Sequence, residues 1–486
     1  MYHTLQIQVK QRNPLYAYLE RTSHLANNLY NAGLFRCRQL ITASKKEQKD
    51  LTENEKKVIK EFSTAFPDMK YSFGYASLDR VMRANHNPDF FAEGLSKQTA
   101  QHVLKQVASD VKGFFASLNA YKQNPSVFMG KPNIPGYHRK GGLSTITFTN
   151  QDCVLYSGDD TSYMKFPGTK ERLNVGKCPV DGRLKEVKAK PYHNIFIVYL
   201  TFDDGKPEPV MKEHPERICA IDFGVENLAA ITNNVGLPCL LFKGGVLKSQ
   251  NQWYNKRMAN IASKQTIGTT DKFQPTTESQ VVCLKRENQV VDFSRKLCKR
   301  IVDWCVQNNI DTIVVGNNPG WKQNSDMGKK SNQEFVQLPF GRIIQMLELK
   351  ALQNGIRVMK QEESYTSKAS YLDNDPIPVC GENDNDAVFS GKRRPYKYKG
   401  VSQKDGYRGL YTSKDGSVIN SDLNGSANIG RKALPELFTG VVDFSSVTVI
   451  KHPDYDFRKE NQKKQKANAK PSKSKARRLA AKALKK

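Results

Sequence analysis

The sequence lacks any run approaching the roughly 18 consecutive apolar residues of a membrane-crossing helix, and its opening from Met1 to Pro14 has no apolar core of the signal-peptide kind. Neither a membrane-spanning nor an exported protein is expected. C-x-x-C pairs are missing as well: nine cysteines are scattered singly, and the odd number leaves at least one thiol unpaired. That excludes a fully paired disulfide framework and fits a reducing compartment, so the expected location is cytoplasmic. Acidic residues are scarce, 48 Asp and Glu against 76 Lys and Arg, for a formal net charge of +28. A field of that sign attracts polyanions, which makes nucleic acid the first partner to consider, ahead of an anionic membrane. A chain of 486 residues is long enough for about two to four domains with sizeable cores.

The patterning divides the chain. Tyr2 to Val9 alternates as a strand does, and Pro14 introduces a helix with Leu15, Leu19, Leu25 and Leu29 toward one face. Further helical periodicity over 53–63, 75–85 and 97–122 predicts a helical domain over 15–122, with Val103, Val107, Val111, Phe114 and Leu118 at spacings of three and four in the last helix. Between Gly130 and Lys140 the composition turns to Gly, Pro and basic residues. Alternating runs at Thr145–Phe148 and Ile195–Thr201 then predict a small β-barrel or sheet over about 136–213, which the first strand could join. From Ile218 three short apolar runs with tight turns read as consecutive antiparallel strands. A long amphipathic helix follows at about 281–308, then a strand at Thr312–Val315, a helix at about 338–354 closed by Gly355, and a strand at Ile356–Lys360. That order is the order of a ribonuclease-H-like sheet. Residues 366–420 interrupt it with charged, Gly-rich text before one more helix from Ser421, and beyond Phe457 the chain is Lys- and Arg-rich with few apolar residues, as in disordered tails that lie along phosphates. No internal repeats are present.

Hydrolysis of a phosphodiester with two divalent ions needs carboxylates converging from separate elements, at strand ends or helix starts. Asp222 ends an apolar strand, where an uncompensated carboxylate is costly unless a cation or hydrogen bonds meet it. It could equally bond the backbone of the adjacent turn. Asp422 opens the last helix, where helix capping is an equal alternative to metal ligation. Asp222-Phe223-Gly224 also spells a kinase magnesium motif, but no glycine-rich loop precedes it and no H-R-D loop exists, which excludes a kinase.

Arg217 to Val225 with Leu228 to Ile231, and later Ser421-Asp422-Leu423-Asn424-Gly425-Ser426-Ala427-Asn428-Ile429, resemble the first and third RuvC motifs of the TnpB proteins carried by insertion sequences. Asn27 to Asn31, Phe114-Phe115 and Lys131 to Pro135 are similar to that family too. The resemblance spans nearly the whole chain, specifically in the RuvC motifs and more loosely before residue 130. It implies a multi-domain α+β protein: a wedge strand (1–14), a helical recognition domain (15–135), a wedge β-barrel (136–215), an α/β RuvC nuclease in two parts (216–365 and 421–456), a target-binding insertion (366–420) and a basic tail (457–486). It also implies an RNA-guided DNA endonuclease related to the type V CRISPR effectors. Its expected partners are a guide RNA and target double-stranded DNA, one RNA to a monomer, in a bacterial, nucleoid-associated setting. Its expected cofactor is two Mg2+ ions, with Mn2+ able to substitute.

This chain departs from the family pattern twice. The glutamate that usually follows the strand at Thr312–Val315 is replaced by Gly316. In some branches of the family it stands instead before a Thr-Ser pair at the end of the next strand, as in Gln361-Glu362-Glu363-Ser364-Tyr365-Thr366-Ser367, where Glu363 is preferred over Glu362. The expected catalytic and metal-binding residues are therefore Asp222, Glu363 and Asp422. Two solvated glutamates at a strand end remain the plain alternative. The second departure is in the insertion, where two C-x-x-C pairs usually hold zinc and only Cys380 stands here, so no zinc is expected and the insertion must keep its shape by other means. Expected nucleic-acid contacts are Lys131, Arg139, Lys140, Trp321, Lys322, Lys392, Arg393, Arg394 and Lys397, the last group interleaved with Tyr396 and Tyr398 as stacking platforms are. Two other functions stay open: a nuclease-inactive RNA-guided DNA-binding repressor and a DNA strand-transfer transposase.

Overall fold

A computed structural model describes residues 1–67, 72–158, 160–178, 182–268, 272–318, 329–381, 387–394 and 409–452. The fold is mixed α and β, and the chain divides into two compact units, Met1–Pro207 and Glu208–Lys486. No helix among the described residues is long and apolar enough to cross a membrane.

In the first unit, strand β1 (Tyr2–Lys10) leads through Pro14 into helix α1 (Leu15–Ala43), followed by α2 (Glu53–Ala65), α3 (Tyr75–Ala84) and α4 (Lys97–Gln123). Helix α2 starts at a reciprocal capping box between Thr52 and Glu55, and α4 starts where the Ser96 hydroxyl accepts from Thr99 N–H. Leu29, Leu34, Val58, Leu78, Leu104 and Val107 are fully buried in one shared core. Each such aliphatic side chain contributes about 1.5–3 kcal/mol. Strands β2 (Ile146–Thr149), β3 (Val154–Tyr156), β4 (Ser162–Lys165), β5 (Arg172–Gly176), β6 (Arg183–Tyr192) and β7 (Ile195–Asp203) follow.

These strands correct the expectation of a barrel. They form two antiparallel sheets, β1-β7-β6-β2 and β3-β4-β5, and no closed barrel is found among the described residues. Strand β1 does join, pairing with β7 from Tyr2 opposite Asp203 to Lys10 opposite Ile195. The alternation of residues 2–9 specifies which side chains share a face, and it cannot say whether the last strand of the order returns to the first.

The second unit opens with β8 (Ile218–Asp222), β9 (Asn227–Asn233) and β10 (Cys239–Lys243), three consecutive antiparallel strands. The turn after β9 closes because the Asn233 side chain accepts from Val235 and Leu237 N–H and Gly236 supplies a positive φ of 69°. Helices α5 (Gly245–Thr266) and α6 (Thr277–Gln307) lead to β11 (Thr312–Gly316), α7 (Lys329–Val336), α8 (Phe340–Leu352) and β12 (Arg357–Gln361). Hydropathy patterning does not announce α5, which buries only Leu247, Asn251 and Ile261. Three short strands, β13 (Lys392–Arg393), β14 (Leu410–Thr412) and β15 (Val418–Asn420), run directly into α9 (Ser421–Ala433), with α10 (Pro435–Phe438) and β16 (Val447–Ile450) completing the unit.

The main sheet has the order β12-β11-β8-β9-β10-β16, with β11 parallel to both β8 and β12. It is covered on both faces. Cys219, Ile221, Ile313 and Val315 pack with Leu297, Ile301, Ile343 and Leu347 of α6 and α8, while Ile218, Ala220 and Val314 pack with Ala427 and Ile429 of α9. Side chains alternate along a strand. Position 222 therefore continues the face of 218 and 220, and position 316 continues the face of 314. Both are directed to the α9 side.

Candidate active site

Asp222 ends β8, Glu363 lies two residues beyond β12, and Asp422 is the second residue of α9. Tertiary packing brings these elements to one region of the second unit. Helix α9 approaches closely enough that a Cβ on Gly425 would stand 2.6 Å from Asp222 Oδ2. A Cβ on Gly316 would overlap Glu363 Oε1 and stand 2.7 Å from Ile429 Cδ1. The Glu363 carboxylate thus reaches the end of β11, beside Gly316.

The polar residues of α9 explain its docking. Ser426 Oγ donates to Ala220 O at 2.8 Å, and Asn424 and Asn428 donate to Ala369 O at 2.8 and 2.7 Å. All three are fully buried, so losing their partners would cost the desolvation of each group. Capping of α9 falls to Asn420, whose side chain accepts from Asp422 and Leu423 N–H at 3.0 and 3.2 Å. The Asp422 carboxylate is left for other work. Similarly, the turn after Asp222 closes through its own backbone, Gly224 N–H donating to Asn227 O at 3.1 Å.

Glu363 is held by its backbone. Its N–H donates to Asn318 Oδ1 at 2.9 Å, and its carbonyl accepts from Thr366 N–H at 3.1 Å and Thr366 Oγ1 at 2.9 Å. Thr366 therefore closes the turn that aims Glu363. The side chain is different: Glu363 Oε1 is buried with no hydrogen-bond partner. Burial, then the charges of Asp222 and Glu362, push its carboxyl up to about 9. Burial and then the Asp422 charge push Asp222 up to about 7, with Arg393 pulling the other way. Glu362 is engaged elsewhere. Its carboxylate accepts from Lys432 Nζ at 2.6 Å and Ser364 N–H at 2.6 Å, and although burial opposes it, these partners hold its pKa below the usual range.

Asp422 is also occupied. Oδ1 accepts from Arg393 Nη2 at 2.6 Å, and Oδ2 accepts from Asn227 Nδ2 at 2.7 Å, while Asn227 Oδ1 takes Lys243 Nζ at 2.6 Å. Neither Asn227 nor Lys243 was legible as a site residue. Among the described residues no group of three or more His, Cys, Asp or Glu is gathered to hold a metal ion. The donor chemistry nevertheless fits a hard divalent cation: three carboxylates, two with raised pKa, one oxygen buried and unpartnered. Such an ion would lower both pKa values and satisfy Oε1.

Of the expected nucleic-acid contacts, Lys131, Arg139 and Lys140 are exposed in the first unit. Their segment is pinned to α1 by its backbone: Arg38 donates to Pro135 O at 2.6 Å and Asn27 to Arg139 O at 3.0 Å, and the His138 ring stacks on Tyr30 at 3.8 Å. Lys392 and Arg393 are exposed on β13, and Arg394 donates to Thr412 Oγ1 at 3.1 Å. Trp321, Lys322 and Lys397, like the tail from residue 453 onward, lie outside the described residues. In the described part of residues 366–420, Tyr411 is fully buried with its hydroxyl donating to Lys368 O at 2.7 Å, and Asp375 accepts from Ser370 and Ser390 N–H at 2.7 and 3.0 Å.

Residues 203–322 match the family model OrfB_IS605, described as "Probable transposase", and residues 340–429 match that of the "Cas12f1-like, TNB domain". Asp222 falls in the first, Glu363 and Asp422 in the second. The TnpB-like protein ORF457 of Acidianus two-tailed virus is 23% identical over 261 residues, 53% of this chain and 49% of that protein. The chain thus spans about half the length of this curated relative. Among solved structures, a Cas12f1–sgRNA–target DNA complex is 16% identical, covering 89% of this chain and 100% of that one, with a TM-score of 0.32. A Cas12i–crRNA–dsDNA complex is 10% identical over 88% of this chain and 67% of that one, with a TM-score of 0.37. Two family matches thus take in all three carboxylates, and the curated relative that aligns with the chain is TnpB-like, so this chain is similar to the TnpB proteins.

Proposed function

We propose that the second unit is a ribonuclease-H-like, RuvC-type nuclease and that the protein is an RNA-guided DNA endonuclease with Asp222, Glu363 and Asp422 as its metal ligands. The observation that carries the chemistry is the buried, unpartnered Glu363 oxygen beside Asp222, in a sheet whose three antiparallel strands are followed by two parallel ones. Bound Mg2+, with Mn2+ as a substitute, supplies the charge that activates a water and stabilises the leaving oxygen of the phosphodiester. The chain's own part is to hold the ligands: Thr366 and Asn318 fix Glu363, Gly425 lets α9 approach Asp222, and Asn227 orients Asp422.

Guide RNA and target DNA enter this reading through the likeness to the TnpB and Cas12f1-like proteins and the +28 charge. In such a division of labour the protein contacts backbones and base pairing reads sequence. The exposed Lys131, Arg139, Lys140 and Lys392 suit the former. The domain assignments carried over from the family, including the recognition, wedge and target-binding parts, belong to this proposal.

A second reading, an inactive RNA-guided repressor, is favoured by the engagement of both Asp422 oxygens. The test is to purify the protein, sequence the RNA that accompanies it, and offer a matching DNA target in Mg2+. Discrete RNA with cleavage that Asp222→Ala abolishes supports the nuclease. Tight guided binding without cleavage supports the repressor, strand joining supports a transposase, and no discrete RNA overturns RNA guidance.

A further inference from the structure

Arg393 reaches into the carboxylate cluster from the insertion. Its Nη2 donates to Asp422 Oδ1 at 2.6 Å and to Ser421 Oγ at 2.8 Å. The guanidinium is thus a positive charge on a carboxylate that a divalent ion would need. The other Asp422 oxygen is held by Asn227, so with Arg393 in place both oxygens already accept a hydrogen bond.

The placement is built into the fold. Strand β13 pairs with β14, Arg393 standing opposite Tyr411, and β14 pairs with β15, Leu410 standing opposite Asn420. Asn420 then caps the helix on which Asp422 sits. Gly391 permits the close approach of β13, since a Cβ there would stand 2.6 Å from Tyr411 Cε1. The Arg393 side chain is 36% exposed and the Asp422 side chain 19%. A pair that open to solvent is weak enough to be exchanged.

We propose that Arg393 is an internal cation that occupies Asp422 in the ion-free protein and must leave it before a divalent ion is held there. The inference rests on the proposed role of Asp422. It makes ion loading dependent on the position of β13, so that any ligand competing for Arg393, a phosphate above all, favours loading.

The test measures Mn2+ affinity of the full chain without nucleic acid, by electron paramagnetic resonance of the free ion, for wild type, Arg393→Gln, Arg393→Lys, Asp422→Asn and the Arg393→Gln/Asp422→Asn double variant. Removing the competing charge should tighten Mn2+ binding roughly fivefold to tenfold in Arg393→Gln, and Arg393→Lys should stay near wild type. The gain should vanish in the Asp422→Asn background. Unchanged or weaker binding in Arg393→Gln, with Asp422→Asn weakened, overturns the competition and leaves the metal-site reading standing. Mn2+ affinity indifferent to Asp422→Asn overturns the ligand role of Asp422 and this inference with it. Far-ultraviolet circular dichroism of each variant identifies any that fails to fold, in which case Arg393→Lys against wild type carries the comparison: tighter binding with the charge retained is also contrary to the proposal.

Discussion

The Glu363 carboxylate lies in the space that a Cβ at Gly316 would fill. Gly316 pairs in register with Gln361, two residues before Glu363, so the end of β11 is a shelf for that side chain. Gly316→Ala should overpack this contact and that with Ile429, destabilising the protein by about 1–3 kcal/mol. Cleavage should fall at least roughly tenfold as Glu363 is displaced. Urea denaturation and a cleavage assay measure the two effects, and a stable, fully active variant would show that Glu363 does not need this position.

The two adjacent glutamates should separate cleanly. Glu363→Gln keeps the shape and removes the charge, so cleavage in Mg2+ should fall by orders of magnitude with target binding retained. Glu362→Gln should instead weaken the fold. It loosens Lys432, whose side chain is 8% exposed and whose remaining bonds are to the Ser364 and Pro378 carbonyls, at a cost of about 1–3 kcal/mol. Cleavage and melting curves of both variants decide it; a dead Glu362→Gln beside an active Glu363→Gln would shift the assignment by one residue.

Asp222→Ala and Asp422→Ala should each abolish cleavage and leave guide and target binding almost intact, because metal ligands serve the transition state more than ground-state interactions. Equal loss of binding and cleavage, measured by gel shift and product formation, would mark these aspartates as structural.

The raised pKa values set a pH dependence. Both carboxyls bind protons more tightly in the folded protein than unfolded, so the stability they lend is fully present below the unfolded carboxyl range of about 4. It is lost as pH rises through about 7 for Asp222 and toward about 9 for Glu363. In chelator, Asp222→Asn should therefore gain stability relative to wild type as pH rises from about 4 to 8. Denaturant titrations across that range measure the difference, and a flat difference would mean that Asp222 ionises normally.

Removing residues 458–486 should flatten the salt dependence of DNA binding, because every phosphate that the tail no longer neutralises lowers the slope of log affinity against log salt by about 0.9. An unchanged slope would mean that the tail touches no phosphate.

The sequence by itself determined many of the elements and drew notice to the two aspartates, because these are local matters. Apolar runs with turn residues mark β8, β9 and β10, three- and four-residue spacing marks α4 and α6, and a carboxylate closing an apolar strand draws notice at Asp222. Glu363 was legible only through the family resemblance, since two glutamates after a strand look alike until one meets Lys432 and the other is buried without a partner. Tertiary structure alone decided the rest. The open sheets of the first unit depend on which strand edges meet, and hydropathy alternation carries no information on that. That Asn227 and Arg393 hold Asp422 depends on pairs separated by 195 and 29 residues. Short-range periodicity cannot encode such pairs; they arise only when the sheet order sets β8, β9 and the insertion against the start of one helix.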